Sequence, residues 1–147
     1  MKIAVGSDHA GFALKEKIKE KLRQEGYEVQ DFGTNSTESM DYPDTATPLA
    51  AAVAAGVFEK GILVCGSGIG MSITANKQKG IRAALCHNLF TAQSSREHND
   101  ANVLCLGERI LEPDLALQMV DIWLKTPFAG GRHQRRIDKI TAFEHKN

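Results

Sequence analysis

The sequence predicts a doubly wound α/β fold: a parallel sheet with helices on both faces and one extra helix at the C-terminus. Two observations carry that expectation. Short apolar, strand-like runs alternate with helix-period segments along the whole chain, and the links between them are short. The 147 residues also suit one domain spanning the chain, which can bury roughly 70% of the surface its unfolded form exposes without disulfides.

Lys2 to Val5 reads as the first strand, and after the loop GSDHAG the segment Phe12 to Gln24 places Leu14, Ile18 and Leu22 on one helical face. The Lys and Glu residues of KEKIKEKLRQE lie on the other face as solvated surface. The strand-loop-helix unit then recurs. Strands are expected over Glu28 to Phe32, Gly61 to Cys65, Ile81 to Cys86 and Ala101 to Leu106. Helices are expected over Pro43 to Phe58, Ile69 to Lys77, Leu89 to His98 and Pro113 to Lys125, with Arg132 to Glu144 following a Gly-Gly pair. The product is a Rossmann-like three-layer sandwich without linker, repeat or low-complexity segment.

Lys plus Arg and Asp plus Glu both number 18, so no overall basic field exists to hold nucleic acid or an anionic membrane. Any anion site must be local. Cys65, Cys86 and Cys105 are odd in number, form no CxxC pair and follow no secretory signal, which leads us to expect reduced cytoplasm. The longest apolar run, Pro48 to Phe58, is too short for a bilayer.

In a doubly wound sheet ligands bind beyond the carboxyl ends of the strands. The stretch Val64-Cys65-Gly66-Ser67-Gly68-Ile69-Gly70-Met71 stands at one such end, where glycine-freed backbone N–H groups can converge on an anion. Met71 removes three rivals. It stands where a phosphate-binding Walker loop counted from Gly66 needs its second Gly, with no lysine before Lys77, where a dinucleotide fingerprint spaced from Gly66 needs Gly, and where a cysteine phosphatase loop needs Arg. Two readings of Cys65 stay open on these residues: a base or nucleophile beside loop amides and a helix start, or a small hydrophobe in the core.

Arg132 and Arg136 open the last helix on one face, and paired guanidinium groups suit phosphate oxygens better than they suit the macrodipole. A solvated basic face is the alternative, and Arg135 is given that role. His98, in the run Arg96-Glu97-His98-Asn99-Asp100, is a candidate acid or base, or else a helix cap. Asp8, His9 and Asp41 lack any metal-ligand spacing, so no metal and no cofactor are expected.

Five ordered motifs, SDHAGF, DYPD, CGSGIGMSITANK, REHNDANVL and GGRHQRRI, give nearly the whole chain a resemblance to the B-type ribose-5-phosphate isomerases. That family shares its fold with galactose-6-phosphate isomerase subunits. The resemblance implies a metal-free aldose-ketose isomerase working through an enediolate on a phosphorylated sugar, in a homodimer or tetramer with shared active sites. It implies Cys65 as the base at C2 and C1, the Gly66, Gly68, Ile69 and Gly70 amides as oxyanion donors, Ser67 as the hydroxyl that moves the proton between O1 and O2, and His98 as the ring opener. Asp8 and Tyr42 would hold sugar hydroxyls or the ring oxygen, Asn99 would contact the sugar, and His9, Arg109, Arg132 and Arg136 would bind phosphate. Many relatives carry threonine in place of Ser67, and one branch uses a glutamate base where this chain has Met71, so the resemblance is to the cysteine-using branch. A hexose 6-phosphate substrate and a non-catalytic nucleotide-binding module are the alternatives.

Overall fold

The computed structural model describes every residue from Met1 to Asn147. Five parallel strands, β1 (Lys2–Ser7), β2 (Glu28–Asp31), β3 (Lys60–Cys65), β4 (Ala83–Leu85) and β5 (Val103–Gly107), lie in the order β2-β1-β3-β5-β4. Helices α1 (Phe12–Gln24), α2 (Pro43–Ala54), α3 (Ile69–Ala75), α4 (Leu89–Glu97), α5 (Pro113–Lys125) and α6 (Arg132–Glu144) connect and follow them.

Strand residues alternate between the two faces, as the pleat requires. Ile3, Val5, Ile62, Val64, Leu104 and Leu106 pack on one side with Leu14, Ile18 and Leu22 of α1, Ala92 of α4 and the buried Trp123 of α5. Ala4, Leu63, Cys65, Val103 and Cys105 face the other side, against Leu49 and Val53 of α2 and Met71 and Ala75 of α3. Helix α6 adds only Ile137 to the buried set, which makes it an appendage on the sandwich. No helix is long and apolar enough to cross a membrane.

The expected elements all form, with shifted ends that have local causes. Helix α2 stops at Ala54 instead of continuing to Phe58, because Gly56 takes φ 79° and the Gly56 and Val57 N–H groups bond back to Val53 O and Ala52 O. That is the left-handed glycine stop, and it turns Phe58 back into the core against Phe32. Strand β4 is only three residues long and lies at the edge. Beside it the Asn76 side chain donates to Ala83 O at 3.0 Å and accepts from Ala83 N at 2.8 Å, standing in for a missing neighbour strand.

The chain leaves β1 for β2 on one side and returns for β3 on the other. The strand order therefore reverses between the carboxyl ends of β1 and β3, where Ser7-Asp8 and Cys65-Gly66 emerge side by side.

Candidate active site

At this reversal a cavity of about 560 Å³ is lined by Asp8, His9, Ala10, Tyr42, Cys65, Gly66, Ser67, Ile69, Gly70, Ile73, Arg109 and Ile110. Most of the expected site residues thus meet in one place. Cys65 is 4% exposed, and its Sγ accepts the Gly68 N–H at 3.1 Å. The loop can make that bond because Gly68 sits at φ 80°, in the left-handed region, and so turns its amide back over the sulfur. Ser67 Oγ accepts from Ile69 N at 3.2 Å.

Asp8 and His9 are each held by a backbone N–H. Asp8 Oδ1 accepts from Gly11 N at 3.0 Å and so caps the single 3₁₀ turn over His9–Gly11. His9 Nδ1 accepts from Met40 N at 3.2 Å, which leaves Nε2 as the protonated nitrogen of a neutral imidazole. Arg109 lies against Gly66, where an added Cβ would fall 3.1 Å from Nη1, and Tyr42 lies against Gly70, where an added Cβ would fall 2.5 Å from Cζ. Arg109 N also donates to Gly66 O at 3.0 Å. The glycines at 66 and 70 therefore leave room for the two side chains that wall the loop.

Glu108, a strand-end residue with no role expected from the sequence, accepts the Leu14 N–H at 2.6 Å. It ties the loop that carries Arg109 to the first turn of α1, a helix with no side-chain cap from its own N-cap residue. Leu14 and Glu108 are far apart in the chain, and no local pattern marks the pair.

The remaining expected residues lie elsewhere on the protomer. His98 follows α4 and Asn99 follows His98, and the corner they form precedes the amino end of β5, where Val103 pairs with Gly61 at the start of β3. Four residue steps along β3, or about 13 Å, separate that edge of the sheet from Cys65. At this edge the His98 ring stacks on His133 of α6, with centroids 4.4 Å apart and planes 16° from parallel. Desolvation, the His98 ring and the charges of Arg132 and Arg136 all push the His133 pKa below its ordinary value. So His98, His133, Arg132 and Arg136 form one basic cluster. The His133 contact had no sequence signal, since it joins two helix ends through tertiary packing.

No group of three or more His, Cys, Asp or Glu side chains is placed to hold a metal ion. Met71 is fully buried, as befits a core residue of α3, and Cys105 is buried beneath the site with its thiol pushed well above the ordinary range by desolvation.

A doubly wound sheet with a thiol, a hydroxyl and a run of glycine-loop amides at its strand-order reversal, beside His and Arg side chains, defines a small-anion-binding α/β protein with acid-base chemistry available. The comparisons narrow this class. Residues 3–140 match the family model described as Ribose/Galactose Isomerase. Ribose-5-phosphate isomerase B of Escherichia coli (strain K12) is 51% identical over 145 residues, covering 99% of this chain and 97% of that protein. A solved structure of Clostridium thermocellum ribose-5-phosphate isomerase B superposes with a TM-score of 0.98 at 55% identity, covering 99% of each chain. Another, ribose-5-phosphate isomerase B from Mycoplasma genitalium with bound ribulose-5-phosphate, gives 0.96 at 43% identity over 99% of this chain and 97% of that one. The chain belongs to the ribose/galactose isomerase family.

Proposed function

We propose that the chain interconverts ribose 5-phosphate and ribulose 5-phosphate through an enediolate, in sites shared by two copies of itself. The observation that carries the chemistry is Cys65, whose sulfur stands at the strand-order reversal within the reach of a loop amide. In this reading Cys65 takes the proton from C2 of the open-chain aldose and returns it to C1. The negative charge that develops on the substrate oxygens is met by backbone amides of the Gly66 to Gly70 loop. Ser67 carries the proton from O2 to O1. The bonds broken and formed then balance, and no redox partner enters.

Ring opening needs an acid-base group at the furanose oxygen, and His98 supplies it. Because His98 and Cys65 of one copy lie at opposite edges of the sheet, a second copy completes the site. Asp8, His9, Tyr42, Cys65, Ser67 and Arg109 come from one protomer, and His98, Asn99, Arg132 and Arg136 from its partner. A two-fold axis would then generate two identical sites. Exposed apolar side chains at both edges favour such pairing: Ile69, Ile73 and Ile110 near the thiol, and Ile140 and Phe143 on α6. His9 and Arg109 meet the phosphate from one side, and Arg132 and Arg136 from the other.

The direct test is formation of ribulose 5-phosphate from ribose 5-phosphate by the purified protein, run beside allose 6-phosphate and galactose 6-phosphate. A clear preference for either hexose phosphate would replace the substrate, and no turnover of any of them would remove the activity.

A further inference from the structure

The corner that carries His98 and Asn99 is held by a three-residue clamp. Asp100 is the only non-glycine residue with a left-handed φ, at 46°, a region that aspartate tolerates better than most side chains. Its carboxylate accepts from Arg96 Nη1 at 2.8 Å and lies 3.5 Å from Arg82 Nη2. Arg82 also reaches the backbone, with Nε donating to Asn99 O and Nη2 to Asp100 O, both at 2.9 Å. The Arg82 main chain is itself fixed, since its N–H donates to Asn102 Oδ1 at 2.8 Å.

Arg96 works from the inside. It is 7% exposed, donates from Nη1 to Ala101 O at 2.7 Å and from Nε to Thr126 O at 3.2 Å. Thr126 closes α5, and the segment after it docks on α4 through Ala129 N and Glu97 O at 3.0 Å before α6 begins. One guanidinium therefore braces both the His98 corner and the approach to the helix of Arg132, His133 and Arg136. Lys60 is a further cation near Asp100; burial and the Arg96 charge lower its pKa, and Glu59 and Asp100 oppose them.

We propose that Asp100, gripped by Arg82 and Arg96, is a positioning residue for ring opening: it sets where His98 and Asn99 stand without touching the sugar. The proposal rests on the ring-opening role given to His98 above. A side chain at a bend loses reach when the bend is free to move, and a misplacement of about 1 Å can cost on the order of a hundredfold in rate. Proton transfer at Cys65 on an open-chain ketose needs no ring opening and depends on this corner only through substrate contacts such as Asn99, so the clamp should govern it far less.

Asp100→Gly removes the carboxylate but keeps the left-handed backbone accessible, and Asp100→Asn retains an acceptor for Arg96. Arg82→Lys keeps a charge but cannot span both carbonyl groups, and it replaces Asp100→Gly if that variant does not fold. Two rates are read for each: turnover of ribose 5-phosphate, and solvent deuterium entry at C1 of ribulose 5-phosphate. Asp100→Gly and Arg82→Lys should lose on the order of tenfold or more in the first and less than about threefold in the second, with Asp100→Asn restoring most of the loss. Unchanged ribose 5-phosphate turnover in the folded variants, or equal losses in both rates, would overturn the proposal. His98→Ala run alongside separates the two layers: if it too leaves turnover of the cyclic sugar intact, the ring-opening role itself falls.

Discussion

Mixing two disabled variants tests whether the sites are shared. Cys65→Ser removes the base and leaves His98; His98→Ala removes the ring opener and leaves Cys65. If Cys65 and His98 of one copy serve one site, no pairing of the two variants repairs either defect. The sheet geometry argues otherwise, with about 13 Å of β3 between the two edges. In a two-fold dimer of one copy of each, one site then combines Cys65 with His98 of the partner and is intact, and the other carries both substitutions. Random pairing makes about half of the dimers mixed, each with one of two sites working, so activity should recover to about a quarter of wild type. The assay is ribose 5-phosphate turnover after the two variants are unfolded and refolded together, against the same variants refolded apart and then mixed. Activity no higher than the average of the two parents would refute the shared site.

Arg132→Ala or Arg136→Ala should weaken substrate binding by about 1.5 to 3 kcal/mol, the range for a hydrogen bond to a charged group, and unchanged kcat/KM in both would return these residues to solvated surface. Gly70→Ala places a Cβ 2.5 Å from Tyr42 Cζ, so the exposed tyrosine must swing away; KM should rise on the order of tenfold with the melting temperature little changed, and an unchanged KM would deny Tyr42 a sugar contact. Asp31→Asn should cost about 3 kcal/mol near neutrality, because the fully buried Lys15 ammonium loses its carboxylate at 2.9 Å. Burial opposes the Asp31 charge, but hydrogen bonds from Lys19 and Lys15 outweigh it and hold the pKa below the ordinary 3.8. The pair's contribution is therefore complete above that value and is lost as the pH falls through the lower folded value, so wild type and Asp31→Asn should converge in acid. Urea unfolding across pH checks this, and a gap that stays constant into acid would contradict it.

The alternation of strand and helix was legible because each strand is a short apolar run and each helix has its own period. The ends were less so. An unbroken apolar run through Phe58 hid the stop that Gly56 imposes, and the edge position of β4, which shortens it, depends on strand order. The thiol, the glycine loop and Arg109 follow strands, so the topology sends them to one edge and the sequence could group them. His98 follows a helix, which sends it to the opposite edge; a list of candidate residues carries no such direction. The Glu108 bond to Leu14 and the His98–His133 stack join segments far apart in the chain and have no local signature.

The proposed isomerisation stands or falls with Cys65 as the base. Cys65→Ser keeps nearly the same shape and the Gly68 N–H acceptor but replaces the thiol with an alcohol that is not ionised near neutrality. The direct measurement is exchange of the C2 proton of ribose 5-phosphate with deuterated solvent, taken with the melting temperature. Exchange should be at least about a hundredfold slower in Cys65→Ser, with the melting temperature of wild type. Exchange at the wild-type rate would contradict it, leave Cys65 as core filler and move the search for the base to Asp8 and His9.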